Sequence, residues 1–148
     1  MTRLVIGLSV SALLLGCGGE SADAPPTVLL GESICAECGM ILSDERFATA
    51  TIIDGERGPE ARLFDDFNCQ AIYESSHLEE PIVARWSHDY TTRAWLHTEH
   101  AVFVRSPRLM APMASDVAAV SSRSAAEALA KDVEGEILTF EAAWSQLK

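Results

Sequence analysis

Between Phe47 and His77 the chain spells out a strand, a turn, a second strand and a capped helix, and this run narrows the possible folds more than any other. Residues 47–54, FATATIID, alternate bulky and small side chains with β-branched content, the pattern of a strand. Gly55, Gly58 and Pro59 mark a turn, and residues 61–64 a shorter second strand. Asp65 or Asp66 is placed to cap the helix that follows, because a carboxylate there accepts the free N–H groups of a first turn. Phe67, Ala71 and Ile72 supply the helix's apolar face, and its end is expected near residues 75–77. Residues 82–86 then predict a third strand, completing a β-β-α-β order.

The second half repeats that order loosely. Residues 94–97 and 101–104 predict two strands connected through His97 to His100, and residues 105–114 a loop containing Pro and Met. Residues 124–131 predict an alanine-rich helix, Ile137 and Leu138 a strand, and residues 140–147 a last helix with Phe140, Ala143, Trp144 and Leu147 on one face. No sequence-level repeat accompanies the duplicated order. Units of about 50 residues are too small to bury separate cores, so the expected fold is α+β: two small β-β-α-β units sharing a core.

That domain occupies residues 34–148. Ahead of it, Arg3 and the uncharged apolar stretch 4–15 have the form of a secretory signal, too short to cross a bilayer, which needs about 20 residues. Leu14-Leu15-Gly16-Cys17 resembles the lipobox of bacterial lipoproteins, in which the peptidase cuts before a lipid-bearing cysteine. The resemblance implies a signal peptide over residues 1–16, lipidation of Cys17, and a tether over 17–33, where Gly, Ser and the Pro25-Pro26 pair predict flexibility. The domain is then expected to face the periplasm from a lipid anchor in a membrane, the outer membrane being favoured because Gly18 is not a retention residue. With 11 basic against 22 acidic residues the chain carries a net charge of −11, which repels nucleic acid and permits a cation or a basic protein surface as partner.

Once Cys17 is set aside, Cys35, Cys38 and Cys69 remain, an odd number in an exported protein, so at least one sulfur is unpaired or has other work. Cys35-Ala36-Glu37-Cys38 can bring two thiols to one metal ion or one disulfide. Gly39 permits a tight path to Met40, whose thioether tilts the choice of metal towards Cu(I), since thioethers are soft donors and poor ligands for zinc. Met113 lies in a Met-Ala-Pro-Met loop without core periodicity, whereas Met110 reads as a core filler. His88 stands at a strand end, where Asp89 can orient its ring; His77 reads as a helix C-terminal cap, and His97 and His100 as solvated turn residues. Cys69 falls inside the first helix, where a cysteine is more often buried and inert.

These segments, taken in order, resemble the NosL family of lipoprotein copper chaperones that accompany nitrous oxide reductase. The resemblance rests on the lipobox at Cys17, Cys38-Gly39-Met40, Phe64-Asp65-Asp66, His88-Asp89-Tyr90, Trp95, Ala101-Val102-Phe103-Val104 and Pro112-Met113. It implies a pair of β-β-α-β units and one Cu(I) ion delivered to nitrous oxide reductase or another periplasmic copper acceptor, without catalysis. It points to Cys38 and Met40, then Met113, and less directly His88, as ligands. Cys35 and Cys69 lie outside the minimal motif, and Ala114 stands where the family's loop usually continues into glycine. Two other readings compete: a structural disulfide or zinc staple in an exported binding module, and a thiol-disulfide oxidoreductase built on Cys35 and Cys38. The oxidoreductase motif ordinarily sits at a helix start, while here a strand is expected after Gly39.

Overall fold

Strand, turn and strand follow in the expected order, but the turn is shorter than expected and the second strand begins at Gly58 rather than at residue 61. In the computed structural model, which describes residues 23–147, β1 (Thr49–Gly55) and β2 (Gly58–Phe64) pair antiparallel across Glu56 and Arg57. Gly58 has φ +115°, a conformation that side-chain-bearing residues rarely adopt, and this is what lets so short a turn close. β1 is the central strand. On its other edge it pairs with β3 (Ile82–His88), with an irregularity between Ile52 and Ile53, and β4 (Trp95–His97) completes a sheet ordered β2-β1-β3-β4. The first five residues of β1 are buried, as a strand covered on both faces requires.

The second half has the same arrangement. β5 (Val102–Arg105) lies between β6 (Val117–Val120) and β7 (Glu136–Leu138), with α2 (Arg123–Val133) between β6 and β7 in the chain, as α1 (Phe67–Ser76) lies between β2 and β3. In both halves the first strand occupies the centre of its three. A short helix, α3 (Phe140–Trp144), closes the fold, ending before the expected Leu147.

The make-up of the second unit differs from expectation. Residues 94–97 were expected to open it, but β4 pairs with β3 in the first sheet, Trp86 opposite His97 and His88 opposite Trp95. The second strand of the unit is β6, in a segment without strand signals. Ala118 and Ala119 have low intrinsic strand preference, and all four residues of β6 are buried, so packing rather than propensity makes this a strand. The expected loop 105–114 contains a 3-10 turn, Pro107–Leu109, capped by the Ser106 hydroxyl.

The two halves share their interior. Phe67 of α1 meets Phe103 of β5 edge to face with ring centres 5.5 Å apart, in a cluster that includes Ala101, Val117, Ala119, Leu138 and Ala143. Asp89, beyond the end of β3, accepts from the Ser121 N–H at 2.8 Å, and the Tyr90 N–H donates to the Ala119 carbonyl at 2.8 Å. The first unit is thus fastened to β6 of the second at the backbone as well as through apolar contact.

Candidate metal centre

The segment before β1 folds back on itself. Ile34 and Ile41 form an antiparallel bridge, the Cys35 N–H donates to the Met40 carbonyl at 2.8 Å, and the Gly39 N–H donates to the Cys35 carbonyl at 3.0 Å. Gly39 sits at φ +73°, so the glycine between Cys38 and Met40 is a conformational requirement of this loop. The loop is fastened to the sheet by the Ala36 N–H, which donates to the Leu63 carbonyl of β2 at 2.8 Å.

Two adjacent aspartates gather the remaining pieces at the start of α1. Asp66 is the N-cap: its Oδ1 accepts from the Asn68 and Cys69 N–H groups at 2.9 and 3.3 Å. Its Oδ2 accepts from the Met113 and Ser115 N–H groups, both at 3.0 Å, and Asn68 Nδ2 donates to the Met113 carbonyl at 3.0 Å. One buried carboxylate therefore orders the first turn carrying Cys69 and holds the methionine loop against it. Asp65 faces the other way, accepting from the Ser43 N–H at 2.9 Å and so securing the chain that leaves the Cys38 loop. Burial pushes the Asp65 carboxyl above its ordinary range, against the lowering effect of the Ser43 donors.

The result is a cluster of three thiols. The sulfurs of Cys35, Cys38 and Cys69 all lie within 4.8 Å of one another, and all three are free. Cys35 and Cys69 are buried, whereas Cys38 reaches the surface. Burial pushes the Cys38 thiol up, partly offset by the Met40 backbone, and burial likewise raises Cys69, with Cys35 and Cys38 adding to the effect. Cys38 and Cys69 are accordingly protonated at neutral pH, so a metal ion binding here displaces protons. Three sulfurs at this spacing can converge on one thiophilic ion, with two donors shielded from water and one open to it.

Cys69 is the residue that sequence reasoning undervalued. It is buried, as expected of a helical cysteine, but its sulfur belongs to the cluster. The usable signal was its position: third after the capping Asp66, in the first helical turn, where the chain returns from β2 towards the Cys35 loop.

The other candidates divide. Met113 packs against the apolar cluster that contains Cys35 and Cys69. Met40 follows Cys38 by two residues and is 55% exposed. His88 is not gathered into the thiol group: it is buried, its Nδ1 lies 3.0 Å from the Ala48 carbonyl and its ring lies on Trp95 with centres 3.7 Å apart. Asp89, expected to orient that ring, instead binds the Thr91, Thr92 and Ser121 N–H groups. Met110 is 81% exposed with left-handed backbone, not a core filler. His77 caps α1 as expected, its N–H donating to the Tyr73 carbonyl, and the rings of His97 and His100 adjoin each other at the β4 turn. Cys17 and the expected signal segment lie outside the described residues.

The NosL family profile matches residues 26–146. In three dimensions the chain is similar to the crystal structure of the copper chaperone NosL from Shewanella denitrificans, with a TM-score of 0.66 at 13% sequence identity, covering 79% of this chain and 93% of that one. At that identity the likeness speaks for the fold. No curated protein sequence matches the chain significantly. The continuous match over residues 26–146 makes this chain a member of the NosL family.

Proposed function

We propose that the protein is a Cu(I) carrier, in which Cys35, Cys38 and Cys69 share one copper ion and Met40 and Met113 flank it as auxiliary thioether donors. The observation that carries this reading is the convergence of three free sulfurs within 4.8 Å. Soft thiolate donors select Cu(I) over hard cations. A site with one exposed donor is suited to exchange, since an incoming ligand can reach the metal from that side. The copper is cargo, and no bond of an organic substrate is made or broken. Family membership and the likeness to the copper chaperone from Shewanella denitrificans support copper as the metal. In this reading the chain is exported, held at the periplasmic face of a membrane by lipid on Cys17, and gives its copper to nitrous oxide reductase or another periplasmic copper protein.

Anaerobic titration with Cu(I) against a chromophoric chelator tests this, using the chain from Gly18 onward alongside the variants Cys38→Ser and Met40→Leu. Every strand and helix described lies within that stretch. One copper per chain is expected, with affinity falling by at least about tenfold, or about 1.4 kcal/mol, in Cys38→Ser and less in Met40→Leu. Unchanged affinity in Cys38→Ser would remove the basis of the assignment.

A further inference from the structure

Of the ten large apolar residues exposed among the described residues, five lie in the short stretch that carries Cys38: Leu29, Leu30, Ile34, Met40 and Ile41, each between 46% and 55% exposed. They are not scattered along it. Ile34 and Ile41 are direct partners in the antiparallel bridge at the base of the Cys38 loop, and directly opposed residues of such a pair project to the same face. The Leu29 turn joins the same ribbon, through Ser33 N–H to the Leu29 carbonyl at 2.8 Å and Gly31 N–H to the Leu42 carbonyl at 3.1 Å. Apolar exposure concentrated around a single exposed thiol differs from the isolated surface hydrophobes found on any protein.

Within this stretch of the chain the charge has one sign. No Lys or Arg occurs between Arg3 and Arg46, while Glu32 and Glu37 lie within the apolar stretch and neither takes part in an ion pair among the described residues. A bilayer bearing anionic lipids would be repelled by this face. A protein whose contact patch is apolar and ringed by Lys or Arg would be attracted to it and oriented on it.

We propose that this ribbon is the docking face for the protein that exchanges copper with the chain, a partner presenting an apolar patch with a basic rim. The inference rests on the carrier reading above. Direct exchange requires the partner's donor atom to bond to Cu(I) while the bond from Cys38 sulfur to copper breaks. No electron is transferred, and the released Cys38 thiolate takes a proton from solvent. The incoming donor must approach from the open side of the cluster, where Cys38 is exposed, and Cys38 lies in the loop that the Ile34–Ile41 bridge closes.

The test compares transfer of Cu(I) from the loaded chain to copper-free nitrous oxide reductase with capture by a small chelator, which needs no docking face. The variants are Leu30→Ser/Ile34→Ser and Glu32→Lys, all at exposed positions outside the ligand set. Both are expected to load one copper and to lose it to the chelator at the wild-type rate. Transfer to the reductase is expected to slow by on the order of tenfold in each, and the wild-type transfer to slow as salt is raised, more than that of Glu32→Lys. Equal transfer by wild type and the double variant, or wild-type transfer no faster than chelator capture, overturns the proposal. So does binding of the wild type but not the double variant to phosphatidylcholine vesicles, or dimerisation lost in the double variant, since either gives the face another occupant. Failure of the carrier reading shows separately, as absence of copper at the loading step.

Discussion

Cys69 shows how a single position can change the chemistry available to a loop. Without it the Cys35-Cys38 loop offers two sulfurs; with it, a third, shielded donor is added from α1. Cys69→Ser is therefore expected to weaken Cu(I) binding by at least about tenfold in chelator competition, whereas His88→Ala, which alters a buried ring lying on Trp95, is expected to leave it within about twofold. A loss in His88→Ala as large as in Cys69→Ser would return the histidine to the ligand set. Ala114 carries a different cost. Its φ of +57° places it in the left-handed region, where a β-carbon is unfavourable by roughly 1–2 kcal/mol and glycine is not. Ala114→Gly is expected to raise stability by about 1 kcal/mol, less whatever glycine loses through unfolded-chain entropy, read as a higher urea midpoint. The chain holds this left-handed turn with a residue less suited to it than glycine.

Elements meet at this centre because of the two aspartates at the start of α1. Asp66 is fully buried and accepts from four backbone N–H groups, two in its own helix and two in the Met113 loop. Asp66→Ala would leave those donors without their acceptor, at an expected cost of roughly 2–4 kcal/mol in urea unfolding, together with weaker copper binding as the Met113 loop separates from Cys69. A stability change below about 0.5 kcal/mol would mean that water replaces the carboxylate and that Asp66 does not organise the site. The aspartates were readable as a helix cap from sequence, since capping is local. Their reach to Ser43 and to Met113 was not, because it spans 22 and 47 residues. The same distinction separates the halves of the fold. The first unit was legible because its strands, turn and cap are adjacent in the chain. In the second, β4 pairs with β3 rather than with β5, and β6 is built from Val117-Ala118-Ala119-Val120, whose alanines carry no strand signal until the surrounding residues bury them.

On the scale of the whole molecule, buried ionisable groups at the end of β3 couple stability to pH. His88 is held below its ordinary value, chiefly by burial, against the opposing pull of the Ala48 carbonyl and Glu45. The unfolded chain takes up a proton near pH 6.5 that the folded chain accepts only at lower pH. Its contribution is therefore complete above about pH 6.5 and is lost as pH falls below it. Asp89 works further down the scale: burial raises its carboxyl, but the Thr92, Ser121 and Thr91 N–H groups outweigh this and hold it below its ordinary value. Its stabilisation is present above about pH 3.8 and is lost as pH falls through the lower folded value. Urea midpoints measured from pH 8 to pH 3 are expected to decline below about pH 6.5, and His88→Phe to flatten the first part of that decline. An unaltered slope in His88→Phe would assign it to other groups. The central claim, that three cysteine sulfurs drawn from two distant segments hold one copper ion, is tested most directly by copper K-edge X-ray absorption on the anaerobically loaded protein, wild type beside Cys69→Ser. The account predicts Cu(I) with a sulfur-only first shell of at least three donors in the wild type and one sulfur fewer in the variant. A first shell containing nitrogen, or one that is identical in the two proteins, would contradict it.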